Sequence, residues 1–89
     1  MGEAGGSAAE IRERLVAAFA PREVEVVDDS ESHRGHGGWR EGGGTHFLVR
    51  MRADALGPMG RVARHRAVHA ALGPELMGRI HALGLDLGG

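Results

Sequence analysis

Thr45-His46-Phe47-Leu48-Val49-Arg50-Met51-Arg52 is the stretch on which the fold turns. Phe47, Val49 and Met51 alternate with Leu48, Arg50 and Arg52, the period of a strand that buries one face and wets the other. Upstream, Glu23-Val24-Glu25-Val26-Val27-Asp28 alternates in the same way and reads as a second strand. Between them lies Ser30 to Gly44, which holds six Gly and two His and scarcely an apolar residue besides Trp39. Two antiparallel strands joined by one long mobile loop is the simplest account. A connection of about 15 residues exceeds what closure requires, and such loops usually carry function or disorder.

Outward from this hairpin, two helices and a third strand complete the pattern. Ser7-Ala8-Ala9-Glu10 fits a capping box, and Ile11, Leu15 and Phe19 follow at four-residue spacing while Arg12, Glu13 and Arg14 face water. The expected helix spans about residues 8 to 19 and stops before Pro21. Gly57-Pro58-Met59-Gly60 is a turn into a second helix, Arg61 to Leu72, ended by Gly73-Pro74, with a short helical turn over Glu75 to Gly78. Its apolar face is expected from Val62, Ala63, Ala67, Ala70 and Ala71. Ile80 to Leu87 reads as a third strand with His81, Leu83, Leu85 and Leu87 on one face.

The resulting fold class is α+β, a single small domain of order α-β-β-α-β. The strand–helix–strand passage makes the third strand parallel to the second through a right-handed crossover, giving a three-stranded mixed sheet covered on one face by helices. Residues 1–6 are Gly-rich and read as a disordered lead, with the domain over 7–87.

Composition removes several function classes. The chain has 89 residues, no Cys, no Lys and a formal charge of −1, its 11 basic residues all being Arg. One domain is all this length can close. Without Cys there is no disulfide framework, no thiolate nucleophile and no Cys-based metal site from this chain alone. Without Lys there is no Schiff base and no Walker A lysine. No Gly-x-Ser-x-Gly elbow surrounds Ser30 or Ser32, adjacent Asp28 and Asp29 make a poor carboxylate dyad, and Gly42-Gly43-Gly44 lacks a phosphate loop's spacing. No apolar run reaches the ~20 residues of a membrane span, and the N-terminus carries no signal pattern, so a small cytoplasmic domain is expected.

Six histidines remain: His33, His36, His46, His65, His69 and His81. Imidazole is both a metal ligand and titratable near neutrality. His33 and His36, three apart in the Gly-rich loop, can share a metal ion, although a solvated loop is the commoner meaning of such a pair. His81 on a Leu face reads more simply as a core residue, and His46 at a strand start as a hairpin cap. His65 and His69 are one helical turn apart but lack the catalytic Glu of zinc helices. Arg61, Arg64 and Arg66 with His65 form a cationic helix suited to phosphates, which keeps a DNA-binding reading alive despite the neutral total charge.

Five segments in register carry a family resemblance: Val24-Glu25-Val26-Val27-Asp28-Asp29-Ser30, His33-x-x-His36, Gly44-Thr45-His46-Phe47-x-Val49, Arg64-His65-Arg66-x-Val68 and Ile80-His81-Ala82-Leu83-x-Leu85. In order and spacing they resemble the BolA family, from about Ile11 to Leu87. The resemblance implies the same α-β-β-α-β fold, similar to type II KH domains. It also implies a partner, a monothiol glutaredoxin, with which BolA-like proteins hold a [2Fe–2S] cluster. The glutaredoxin Cys and a glutathione thiol ligate from one side and BolA histidines from the other, so no cluster is expected in the isolated chain.

The implied ligands fall on His81 and on His33, with His36 as the alternative loop ligand and His46 as an accessory residue. Gly44 stands where the family often has Glu, and Glu31 where many relatives carry a further His. Some family members are described as transcriptional regulators, which connects with Arg61, Arg64, His65 and Arg66. Iron–sulfur trafficking or iron regulation by a non-enzymatic adaptor is thus the leading expectation, and DNA-binding regulation its rival.

Overall fold

The computed structural model describes residues 7–29 and 46–89. Helix α1 (Ala8–Phe19) leads into strands β1 (Glu23–Asp28) and β2 (His46–Arg52), then a 3-10 turn (Asp54–Leu56), helix α2 (Arg61–Arg79) and strand β3 (Ala82–Gly88). The sheet runs β1-β2-β3, with β1 antiparallel to β2 and β2 parallel to β3. This is the α-β-β-α-β order and mixed sheet expected from periodicity. The 3-10 turn, too short to carry a period, was not expected.

α1 begins where Ser7 Oγ accepts the Glu10 N–H at 3.0 Å. The reciprocal arm of a capping box is absent, because the Glu10 carboxylate turns to Arg79 at 2.7 Å and Arg14 at 3.5 Å. The helix closes on Ala20, which adopts the left-handed conformation with φ 45° and gives its N–H to the Val16 carbonyl. Pro21 then prevents continuation.

Alternation along β2 behaves as read: Phe47, Val49 and Met51 are buried, and Leu48 and Arg50 are exposed. Ile11 and Leu15 of α1 and Val68, Leu72 and Leu76 of α2 close over that buried face. Among the described residues no element covers the opposite sheet face, a shallow depression lined by Glu25, Val27, Leu48, Arg50, Gly84 and Asp86.

Two expectations need correction, and a third holds. The core face of α2 is the Val68, Leu72, Leu76 stripe, whereas Val62, Ala63 and Ala70 lie exposed. The larger side chains at four-residue spacing bury more area than the alanines and so orient the helix. As expected, the first helical segment ends at the Gly-Pro pair: Gly73 is non-helical at φ 85° and ψ 156°, and a second segment, longer than the single turn expected, runs from Pro74 to the end of α2 at Arg79. Proline suits a first helical turn, so the Gly-Pro pair closes one helical segment and opens the next. At the break, Arg14 of α1 donates to the Leu72 carbonyl at 2.7 Å. Finally, β3 starts at Ala82, so His81 precedes the strand instead of joining the face of Leu83, Leu85 and Leu87, which pack against the core.

The expected lead, residues 1–6, and the expected loop, Ser30 to Gly44, lie outside the described residues.

Candidate metal-ligating site at one end of the sheet

The parallel register pairs His46 with Ala82, and the antiparallel register brings the end of β1 to the start of β2. Asp29 donates its N–H to the His46 carbonyl at 2.8 Å, which extends the hairpin by one rung. One end of the sheet therefore gathers Asp28, Asp29, His46 and His81. In sequence, residues 30–45 connect Asp29 to His46.

His81 is placed by its neighbour. Ile80 caps α2, gives its N–H to the Met77 carbonyl and is buried in the core at 9 % exposure. With Ile80 anchored and Ala82 entering the strand, His81 is turned out to solvent. The core-residue reading of His81 is thereby removed: the imidazole is open to outside groups.

His46 is the buried polar residue among those described, at 4 % exposure. Its ring centroid lies 5.1 Å from that of His81, with the planes tilted by 51°. The structure therefore brings His81 together with His46, the residue expected to be only accessory. Their separation of 35 positions in the chain hides this pairing from local spacing, and only the parallel β2–β3 register reveals it. His33 and His36 lie outside the described residues. Among the described residues, no group of three His, Cys, Asp or Glu side chains forms a metal-holding cluster. What these residues supply is one accessible imidazole backed by a second, a nitrogen donor of the kind that borderline metal ions accept.

The cationic helix lies elsewhere. Arg61, Arg64 and His65 border a groove of about 350 Å³ beside Leu85, Asp86 and Leu87, at the far end of β3 from His81. Arg61 and Arg66 are exposed and His65 is half-buried. Arg64 is committed to the fold: Nε donates to the Leu56 carbonyl at 2.9 Å, and its two terminal nitrogens reach the Leu87 and Gly57 carbonyls at 3.3 Å each. It ties the 3-10 turn and the end of β3 to the first turn of α2. Sequence reasoning grouped Arg64 with its neighbours because carbonyl acceptors leave no trace in residue type. His69 is exposed on the same helix, and His65 and His69 do not join the His46–His81 pair.

One charged cluster outside the site shifts a titration. The hydrogen bond from Arg79 holds the Glu10 carboxyl below the usual carboxylate range, with the charges of Arg79 and Arg14 adding to it and partial desolvation opposing. Arg79 is raised in turn by the same hydrogen bond.

Comparison with known proteins agrees with this architecture. The family model described as BolA-like protein matches residues 15–88. An uncharacterised protein of a Sinorhizobium species is 42 % identical over 77 residues, covering 85 % of this chain and 83 % of that protein. The human BolA-like protein 1 is 36 % identical over 96 % of this chain, but the match spans only 59 % of the human protein. Among solved structures, the BolA domain of SufE1 from Arabidopsis thaliana superposes with a TM-score of 0.78 at 37 % identity, covering 91 % of this chain and 88 % of that one.

Proposed function

The chain belongs to the BolA-like protein family, and from that premise we propose that it is a non-enzymatic cytoplasmic adaptor that binds a monothiol glutaredoxin and shares a [2Fe–2S] cluster with it. The observation that carries the reading is the exposed His81 imidazole at the sheet end, backed by His46 at 5.1 Å. The donor set fits such cargo. A chain with no Cys offers nitrogen where the partner and glutathione offer sulfur, and His81 is accessible to a group mounted outside the fold. Imidazole in place of thiolate at one edge of a two-iron cluster raises its potential, as in Rieske-type centres.

In this proposal His81 is one ligand, and His33, or His36 in its stead, is the second. Both loop histidines follow Asp29 closely in sequence and so are covalently tethered to the same end of the sheet. His46 acts behind His81 by restricting the orientations of its ring, a positioning role that frees no nitrogen to the outside because the residue is buried. The cluster serves iron–sulfur trafficking or iron regulation. Regulation by DNA binding through Arg61, His65 and Arg66 is the weaker reading, because Arg64, central to that patch, spends its guanidinium on backbone carbonyls.

Mixing the protein with a [2Fe–2S]-loaded monothiol glutaredoxin tests the assignment. A one-to-one complex with altered visible absorption and circular dichroism is expected, and His81→Ala is expected to abolish the spectral change while leaving the fold intact. Unchanged spectra and stoichiometry with His81→Ala would end the proposal for that residue.

A further inference from the structure

We propose that the outer edge of β3 is a docking edge for an extended acidic peptide, which adds as a fourth strand and is gripped by Arg61 and His65. The inference starts from the ladder. Ala53 donates its N–H to the Gly88 carbonyl at 3.0 Å, so the main-chain groups of Gly88, and by alternation of Asp86, Gly84 and Ala82, face β2. The N–H and C=O of Leu83, Leu85 and Leu87 therefore point away from the sheet. The Leu87 carbonyl is taken by Arg64 at 3.3 Å, while no hydrogen bond from a described residue reaches the outward groups of Leu83 or Leu85.

Among the described residues β3 is a terminal strand of the sheet, and nothing in its sequence blunts it. Exposed edges are usually guarded by Lys, Pro, a bulge or an inward charge. Ala82-Leu83-Gly84-Leu85-Asp86-Leu87-Gly88 has neither Lys nor Pro and pairs with β2 in unbroken register. Its one charge, Asp86, is held by Arg52 at 3.0 Å. Among the described residues the edge is thus open to main-chain pairing.

Charge selects the occupant. The groove of about 350 Å³ between this edge and α2 is lined by Arg61, Arg64, His65, Leu85, Asp86 and Leu87. With Arg64 committed to carbonyls, exposed Arg61 and half-buried His65, one helical turn apart, are the donors left for a ligand. A DNA backbone offers acceptors only and meets the outward carbonyls unfavourably. A peptide strand offers donors and acceptors in the alternation the edge requires, and acidic side chains on it meet Arg61 and His65.

The proposal is independent of cluster sharing, and the test contains no iron. An acetylated seven-residue peptide alternating glutamate with valine is titrated into ¹⁵N-labelled protein. The amides of Leu83, Leu85 and Leu87 are expected to shift and to exchange more slowly with solvent, with a dissociation constant that Arg61→Glu raises about tenfold or more. Leu85→Pro, which deletes an outward N–H without touching the β2 ladder, is expected to abolish binding. If that variant fails to fold, the Arg61→Glu titration and a lysine–valine peptide carry the test. Equal binding of the lysine–valine peptide, shifts confined to residues away from β3, stronger perturbation of the same amides by single-stranded DNA, or sedimentation of the unliganded chain as a dimer through this edge would each overturn it.

Discussion

Replacing Arg64 by methionine is expected to destabilise the domain by about 2 kcal/mol, a figure that follows from what each of its nitrogens touches. The bond from Nε to the Leu56 carbonyl is well formed at 2.9 Å, and a hydrogen bond from a charged donor contributes roughly 1.5–3 kcal/mol. The two bonds at 3.3 Å, to the Leu87 and Gly57 carbonyls, are stretched beyond the usual range and contribute about 0.5 kcal/mol each at most. Two effects hold the total near the low end. The Leu56 carbonyl keeps a second donor, the Met59 N–H at 3.1 Å, and Gly57 and the β3 edge can turn to water.

Methionine retains the aliphatic stem, so packing loss is small. For a domain of this size ~1 kcal/mol moves the midpoint by roughly 4–8 °C, so thermal unfolding should fall by about 8–15 °C. Arg64→Lys is expected to recover little, because an ammonium cannot span three acceptors in a fork. A drop below about 2 °C for Arg64→Met would refute the assignment of this side chain to the fold and return it to the pool of phosphate contacts. In that event DNA affinity, and not stability, would be what the substitution removes.

Other substitutions probe the same physics. Gly73→Ala forces a Cβ into a backbone region that is essentially glycine-only and toward Arg14 at 3.3 Å, and a loss of about 1–3 kcal/mol by urea denaturation is expected. Ala20→Gly relieves the left-handed residue that caps α1 and should stabilise by about 1 kcal/mol, measured the same way. Leu72→Ala, at a position with no exposure, should cost about 2–5 kcal/mol in the same assay. Because the folded Glu10 pKa lies below its unfolded value, its contribution is present above the unfolded value and lost as pH falls through the folded one. The melting-temperature gap between the protein and Glu10→Gln should therefore be widest near neutrality and close as pH falls from about 5 toward 3; a gap that widens there would contradict the ion pair.

Much of the architecture was readable along the chain because it rests on local periodicity. The alternation at Phe47, Val49 and Met51, the four-residue spacing of Ile11 and Leu15, and Ser7 before its helix each express a repeat or cap within a few residues. His81 was also nameable, through the motif around it. Its exposure was not, since that depends on Ile80 being drawn into the core and on β3 starting one residue after the imidazole.

What the residues determined by themselves is therefore the α-β-β-α-β order, the buried face of β2 and the absence of any thiol or lysine chemistry. Tertiary structure alone decided that His46 stands behind His81, that Arg64 is spent on three carbonyls, and that β3, among the described residues, is left with an open outer edge. Periodicity reports which side of an element is apolar, because burial acts on neighbours a turn or a pleat apart. It carries no record of which distant carbonyl or ring will arrive opposite a polar group. That is settled only when the strands adopt their register.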